Sequence, residues 1–378
     1  FEEGIGKIMK KKLVIFHPAI APYRIDFFNS LNEHFEASFY FEFRNALEQS
    51  FDQEKLRERQ TFQSRYLKPG LMGIKNLRLE VWSILRREKP DLVFVSEYNL
   101  LGLLVCLYKI LCRRQLGIVT VCDDNLVMAS GAGVVKRLTR WVMLHILSDV
   151  ILVDTKVKSW YERHLPYKAR YLFFPIVQDE RIFRERLSQS LPYSRELTER
   201  YGLKGKRVIL YVGRLAKVKN LSLLLDAFKV IHDLYADVAL VLVGAGDKRN
   251  SLEELSARYQ LRDVVVFAGK QEGEALMAHY NLGDIFVLPS TFEPFGTVVN
   301  EALLSGCYTL CSSVAGAACL ISSENGACFD PKKQKDLEEA LKKALSRVEP
   351  MRDVVVKKNL MVDSYSTLMA SLLEQLDS

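Results

Sequence analysis

Several absences narrow the reading of this 378-residue chain before any motif is weighed. There is no C-x-x-C pair. Its seven cysteines (Cys106, Cys112, Cys122, Cys307, Cys311, Cys319 and Cys328) are an odd number set mostly in apolar runs. That argues against a disulfide framework and for reduced thiols in a cytoplasmic protein. No apolar run reaches the ~20 residues of a bilayer span; the longest, NLLGLLVCLYKILC from Asn99, is broken by Lys109. No G-x-G-x-x-G follows either series of opening strands, which counts against a dinucleotide oxidoreductase. Fixed-period repeats, low-complexity tracts and a signal-peptide pattern are also lacking. Met9 followed by KKKLVIF reads as the natural start, and residues 1–8 as an addition to it.

What is present is the composition of an ordinary globular protein, 49% hydrophobic and 26% charged, long enough for two domains. The net charge of +7 is uneven. Residues 1–190 hold 30 of the 53 basic and 22 of the 46 acidic residues, a balance of +8, and the second half is close to neutral. Such an excess either draws an anionic partner or membrane face to the first half, or merely solvates it. No nucleic-acid partner is expected.

From Lys12 the chain alternates short β-branched or aromatic runs (LVIFH, ASFYFEF, DLVFVSE, LGIVTVC, VILVD) with amphipathic stretches. Continuous apolar strands separated by helices predict a parallel sheet covered on both faces. The rhythm breaks from FFPIVQDERIF onward, a polar stretch with Pro175 and Pro192, and resumes at RVILYVGRL. The fold class expected is α/β, with two doubly wound Rossmann-like lobes facing across a cleft. The boundaries are an N-terminal domain over 9–178, a C-terminal domain over 179–360 and a closing helix over 361–378, with the polar stretch as hinge. Ligands of parallel sheets bind beyond the carboxyl ends of the strands, so the loops there are the ones to inspect.

In the stretch STFEPFGTVVNEALLSG, IFVLPS is a strand, Gly296 permits a turn, and a helix follows. Glu293 lies in the loop and Glu301 about one turn into the helix. The amides of Phe295, Gly296 and Thr297 would form the helix N-terminus, which favours an anion. Two carboxylates beside an anion hole suit a phosphorylated, hydroxyl-rich ligand; equally, Glu293 caps the helix electrostatically and Glu301 is solvated. In YVGRLAKVKN a strand ends at Gly213, followed by Arg214 and Lys219, cations that either grip a diphosphate or are surface charge. LVGAGD ends another strand at Gly244 and Gly246, where a close ligand or a tight turn explains the glycines equally well.

Together, Gly213-Arg214 with Lys219-Asn220, Gly244-x-Gly246, the E-x7-E spacing of EPFGTVVNEALLSG, and ENGACFDP near residue 324 resemble the retaining nucleotide-sugar glycosyltransferases of family 4, which have the GT-B fold. The match covers most of 205–345. It implies an enzyme that moves a sugar from a nucleotide diphosphate donor to an acceptor hydroxyl with retention, in surface-polysaccharide assembly. By this resemblance Arg214 and Lys219 hold the diphosphate, Glu293 the sugar hydroxyls, Phe295 to Thr297 the phosphate and sugar through amides, and Glu301 the ribose; Lys270, beside Gly269, lies near the base. No metal and no cofactor are implied, in keeping with the absence of a D-x-D triplet. The partners expected are the nucleotide-sugar donor and a carbohydrate or lipid-linked acceptor. The rival readings are a nucleotide-sugar epimerase on the same fold and a non-catalytic two-lobed binding protein.

The first half departs from the family pattern. HPAIAPYRIDFF stands where relatives have a glycine-rich loop, so His17 and Arg24 become candidates there. Cys122 stands in place of a histidine common in relatives, leaving Asp123 or Asp124 as polar groups near the reaction, or as cap and turn residues. Glu97 is a further candidate at a strand end. GVVKRLTRWVMLHIL joins Lys136, Arg137, Arg140 and Trp141 to an apolar face that either rests on an anionic membrane at its inner surface or packs on its own sheet.

Overall fold

The structure is a computed structural model that describes residues 10–45, 53–166, 168–350 and 353–378. Residues 1–9, on which the expected start falls, and part of the connector before the last helix lie outside them. The chain divides into two compact units. One comprises the described residues up to Asp124, Met128–Pro175 and Leu368–Ser378; the other comprises Asn125–Val127 and Ile176–Thr367.

In the first unit the elements run β1 (Lys12–His17), α1 (Ile25–His34), β2 (Glu36–Phe41), α2 (Gln53–Glu58), β3 (Ser64–Tyr66), α3 (Glu80–Glu88), β4 (Leu92–Ser96), α4 (Leu100–Cys112), β5 (Gly117–Cys122), α5 (Leu126–Ser130), α6 (Val134–Leu144), β6 (Asp149–Leu152), α7 (Thr155–His164) and β7 (Arg170–Phe173). All strand pairs are parallel, in the order β3-β2-β1-β4-β5-β6-β7. The central strands are apolar on both faces because helices cover both, as the continuous runs predict. The order turns back between β1 and β4, so the loops leaving these two strands diverge and open a crevice at their carboxyl ends.

The second unit follows the same plan: α8 (Glu180–Gln189), α9 (Leu191–Arg200), β8 (Arg207–Val212), α10 (Leu221–Leu234), β9 (Val238–Val243), α11 (Arg249–Arg258), β10 (Val265–Gly269), α12 (Gly273–Leu282), β11 (Ile285–Leu288), α13 (Val298–Leu304), β12 (Tyr308–Ser312), β13 (Gly326–Phe329), α14 (Gln334–Leu345) and α15 (Tyr365–Asp377). Its parallel sheet has the order β10-β9-β8-β11-β12-β13, so its switch point lies between β8 and β11.

Three expectations are corrected. The polar stretch after Pro175 is helical rather than irregular: the division between the units falls between Pro175 and Ile176, and the chain beyond it forms α8 and α9, which pack on α12. Phe183 and Leu187 are buried one turn apart on α8, and Pro192 sits in the first turn of α9, where its missing N–H costs nothing. The strands β3 and β7, of three and four residues, have no counterpart among the predicted runs. The last helix starts at Tyr365, and its residues from Leu368 belong to the first unit. All seven cysteines are free; Cys106, Cys122, Cys307 and Cys311 are buried, whereas Cys112 and Cys328 are exposed.

Candidate functional site

At the switch point of the second unit the loop after β8 and the loop after β11 are tied together. The Thr291 amide donates to the Val218 carbonyl (2.9 Å). This brings Lys219, in a 3₁₀ turn, to Glu293, and the two form an ion pair in which both side chains are largely buried. Ser290, fully buried, donates its hydroxyl to the same carboxylate (3.2 Å). Beneath them lies Tyr211, whose hydroxyl donates to the Arg214 carbonyl (2.8 Å). Burial first, and the Glu293 charge second, hold that phenol well above its ordinary pKa. The Arg214 side chain is exposed.

Gly296 has φ +97°, and a Cβ there would stand 2.9 Å from Leu288 and 3.1 Å from the Glu293 Cγ. Any other residue would strain the turn and push Glu293 aside. Phe295 is buried, and Thr297 is the N-cap of α13 without a side-chain bond to its first-turn amides. One turn further, Glu301 is held rather than merely solvated. It accepts from the Tyr280 hydroxyl (2.6 Å) and the Gln178 side-chain amide (2.8 Å). Tyr280 is raised well above its usual pKa by burial and then by the Glu301 charge.

The glycines of LVGAGD have a structural cause beyond a tight turn. A Cβ on Gly244, at φ +147°, would overlap the Gly213 carbonyl oxygen. The loops after β8, β9 and β10 continue side by side past the sheet, through Gly213 to Val243 (2.9 Å), Leu215 to Ala245 (2.9 Å) and Gly244 to Gly269 (2.8 Å) backbone bonds. Lys270 is not brought to the Lys219–Glu293 pair. It follows β10, two strands or roughly 10 Å from β8, and pairs with Glu272 at the surface (2.7 Å).

At the switch point of the first unit Arg24 is buried against the carboxylate of Asp123. His17 is enclosed by the rings of Phe28 and Phe41, with Nδ1 2.8 Å from the Ala19 carbonyl oxygen. Burial, then the Arg24 charge, lower its pKa to about 4, so the imidazole is neutral at physiological pH. Lys136 donates to the wholly buried Asp124 (2.8 Å) and reaches Glu97 (3.3 Å). Burial raises Glu97 above the usual carboxylate range, and the two aspartates add to it against Lys136. Glu97 also sits at φ +55°, an uncommon conformation for its type. Asp123 and Asp124 are thus each held in an ion pair, with Arg24 and Lys136. Cys122 is not part of this surface: its thiol lies in the core, 3.7 Å from the Tyr161 hydroxyl.

Residues 194–359 match the family model described as glycosyl transferases group 1. The matched stretch spans most of the second unit and every residue of the Lys219–Glu293 cluster. Curated relatives include an uncharacterized glycosyltransferase of Methanocaldococcus jannaschii, 36% identical over 37% of this chain and 36% of that protein. A mannosylfructose-phosphate synthase of Agrobacterium fabrum is 35% identical over 37% of this chain and 33% of its own. The matched regions thus span about a third of these relatives. Among solved structures, Anabaena HepE in complex with UDP superposes with a TM-score of 0.74, at 16% identity over 97% of this chain and 99% of that one. A sucrose-phosphate synthase from Thermosynechococcus elongatus gives 0.68 over 97% and 98%. The architecture, two doubly wound α/β units, is that of the GT-B fold.

Sequence reading does not single out Ser290, Tyr280, Gln178 or the role of Lys136. Only the S-T-x-E run, with a hydroxyl three residues before Glu293, carries a local signal. Lys136 and Gln178 are found through strand order alone.

Proposed function

We propose that the protein transfers a hexosyl group from a nucleotide diphosphate sugar to an acceptor hydroxyl with retention of configuration, in cytoplasmic assembly of surface polysaccharide at the inner face of the membrane. The donor belongs to the second unit and the acceptor to the first. The observation that carries this reading is the buried Lys219–Glu293–Ser290 cluster at the switch point of the second unit. A buried ammonium paired with a carboxylate is poised to exchange that partner for a diphosphate, which frees Glu293 to accept from sugar hydroxyls. Arg214, exposed in the same loop, supplies a second cation. As the bond from the anomeric carbon to the diphosphate breaks, negative charge grows on the leaving group, where these cations act. Glu301, fixed by Tyr280 and Gln178, is set to accept from the ribose, and the amides of Phe295 to Thr297 face the phosphate. In this reading the chain's own cations neutralise the leaving group, with neither metal nor cofactor.

The test is thermal stability with UDP, GDP, ADP, CMP and NAD for the wild type and Lys219→Ala. A nucleoside diphosphate at a hundredfold its Kd adds about 2.7 kcal/mol to the wild type. The variant loses that gain. If no nucleoside diphosphate stabilises the wild type, or the variant responds equally, the donor site is misassigned. A transfer product with inverted anomeric configuration would refute retention, and sugar conversion without an acceptor would favour an epimerase.

A further inference from the structure

An amphipathic helix on a soluble surface turns its apolar stripe inward and its charges outward. In α6 Met143 and Leu144 are buried as expected, but a second set of apolar side chains faces outward. Val134, Leu138 and Trp141 lie on one stripe at i, i+4 and i+7, and they are 79%, 61% and 55% exposed; Val135 beside them is 80% exposed. Two of the three cations of the same helix point the other way, and only Arg137 stays exposed among the apolar side chains. Arg140 is buried, donating to the Ala129 carbonyl (2.9 Å) and lying over the rings of Trp160 and Tyr161. Lys136 is turned to Asp124 and Glu97. Arg140 therefore has no place on the outward basic face that the sequence suggests.

The neighbouring helix repeats the feature. Leu100, Leu107 and Leu111, at i, i+7 and i+11, share one face and are 43%, 43% and 65% exposed, with Ile110 alongside. The two helices pack closely: a Cβ on Gly102 of α4 would stand 2.6 Å from the Met143 Cε of α6, and Lys109 donates to the Ile146 carbonyl (3.1 Å). Leu100 of α4 and Val135 of α6 line one groove, so exposed apolar side chains of both helices meet there in a surface of the kind that marks an interaction site.

Charge identifies what covers it. Residues 99–148 contain six Lys and Arg, two Asp and no Glu. Both aspartates are already engaged, Asp123 by Arg24 and Asp124 by Lys136, whereas Arg114, just past α4, and Arg137, on α6, are exposed. A groove of about 730 Å3, lined by Pro18, Asn76, Glu97, Leu100, Val135 and Lys136, opens at the first turns of both helices. At 13 and 11 residues neither helix can cross a bilayer. We propose that the first unit seats on an anionic lipid surface through the outward faces of α4 and α6. This deepens the transfer reading, since an acceptor borne by that lipid would meet the groove at the edge of the same surface.

Co-sedimentation of the full chain tests it, using vesicles of phosphatidylcholine alone and with one third phosphatidylglycerol. Wild type binds the anionic vesicles, and added salt weakens the binding because the exposed cations are screened. Leu138→Glu and Trp141→Glu, both at exposed positions, each bind at least about tenfold more weakly, and Arg137→Glu loses the preference for anionic lipid. The nucleoside diphosphate response of these variants stays that of the wild type, so failure here is distinct from failure of the donor assignment. A folded wild type that ignores both kinds of vesicle overturns the proposal. So does binding that the two glutamates leave unchanged, or a dimer in solution that Leu138→Glu converts to monomer without any lipid binding.

Discussion

The histidine at the end of the first strand illustrates how a neighbourhood overrides a residue type. His17 suggests a titrating group at neutral pH, yet packing against Phe28 and Phe41 and the charge of Arg24 bring its pKa to about 4. The unfolded chain, with an ordinary value near 6.5, binds its proton first. The stabilising contribution of the neutral ring is therefore complete above about pH 6.5 and is lost as pH falls toward 4, amounting to at most roughly 3 kcal/mol. Urea unfolding between pH 7 and 4.5 should show this slope in the wild type and a flatter one in His17→Gln. Parallel slopes would mean that the ring is not held neutral. The first-unit candidates Asp123, Asp124, Glu97 and Arg24 were legible as polar residues at or near strand ends. Their pairing was not, because Arg24 and Asp123 lie 99 positions apart and meet only through strand order.

At the scale of elements, apolar periodicity served well for strands buried on both faces and poorly for short ones. β3 and β7 have too few residues to express a pattern, and α8 and α9 were masked by the two prolines around them. The strand-end glycines are a case in which the residue type was legible and its cause was not. Gly244 is demanded by the carbonyl of Gly213 on the adjacent strand, a contact that no local turn signal encodes. Gly244→Ala should cost about 2 kcal/mol or more, because the methyl group must displace backbone at a φ of +147°. Urea unfolding measures that loss. A change below about 0.5 kcal/mol would show that the loops after β8 and β9 can separate without cost.

At the scale of the molecule, chain order and unit membership part company at the C-terminus. Residues 368–378 belong to the first unit although they follow the second in sequence. Met369, Leu372 and Leu376 are buried, Asp377 meets Lys11 and His34, and Ser378 accepts from Arg170. Deleting 368–378 should destabilise the first unit by roughly 4 kcal/mol or more, from the apolar burial alone. Tryptophan fluorescence follows that unit, since Trp82, Trp141 and Trp160 all lie in it. Nucleoside diphosphate binding, assigned to the second unit, should survive the deletion. Equal stability of the truncated chain would mean that this segment only rests on the surface.

The sequence by itself determined the class of both units, since apolar runs too continuous for a half-exposed sheet alternate with amphipathic helices. It also determined which loop carries the glutamate pair, because E-x7-E spans one turn and one helical turn whatever surrounds it. Which cation Glu293 meets was decided only by the tertiary structure. Lys219 lies 74 positions earlier, and it reaches Glu293 because β8 and β11 are neighbours at the point where the sheet reverses its order. The outward apolar face of α6 was decided there too: the helical period places Val134, Leu138 and Trp141 together, but only packing on the rest of the unit determines which side of the helix is left to solvent.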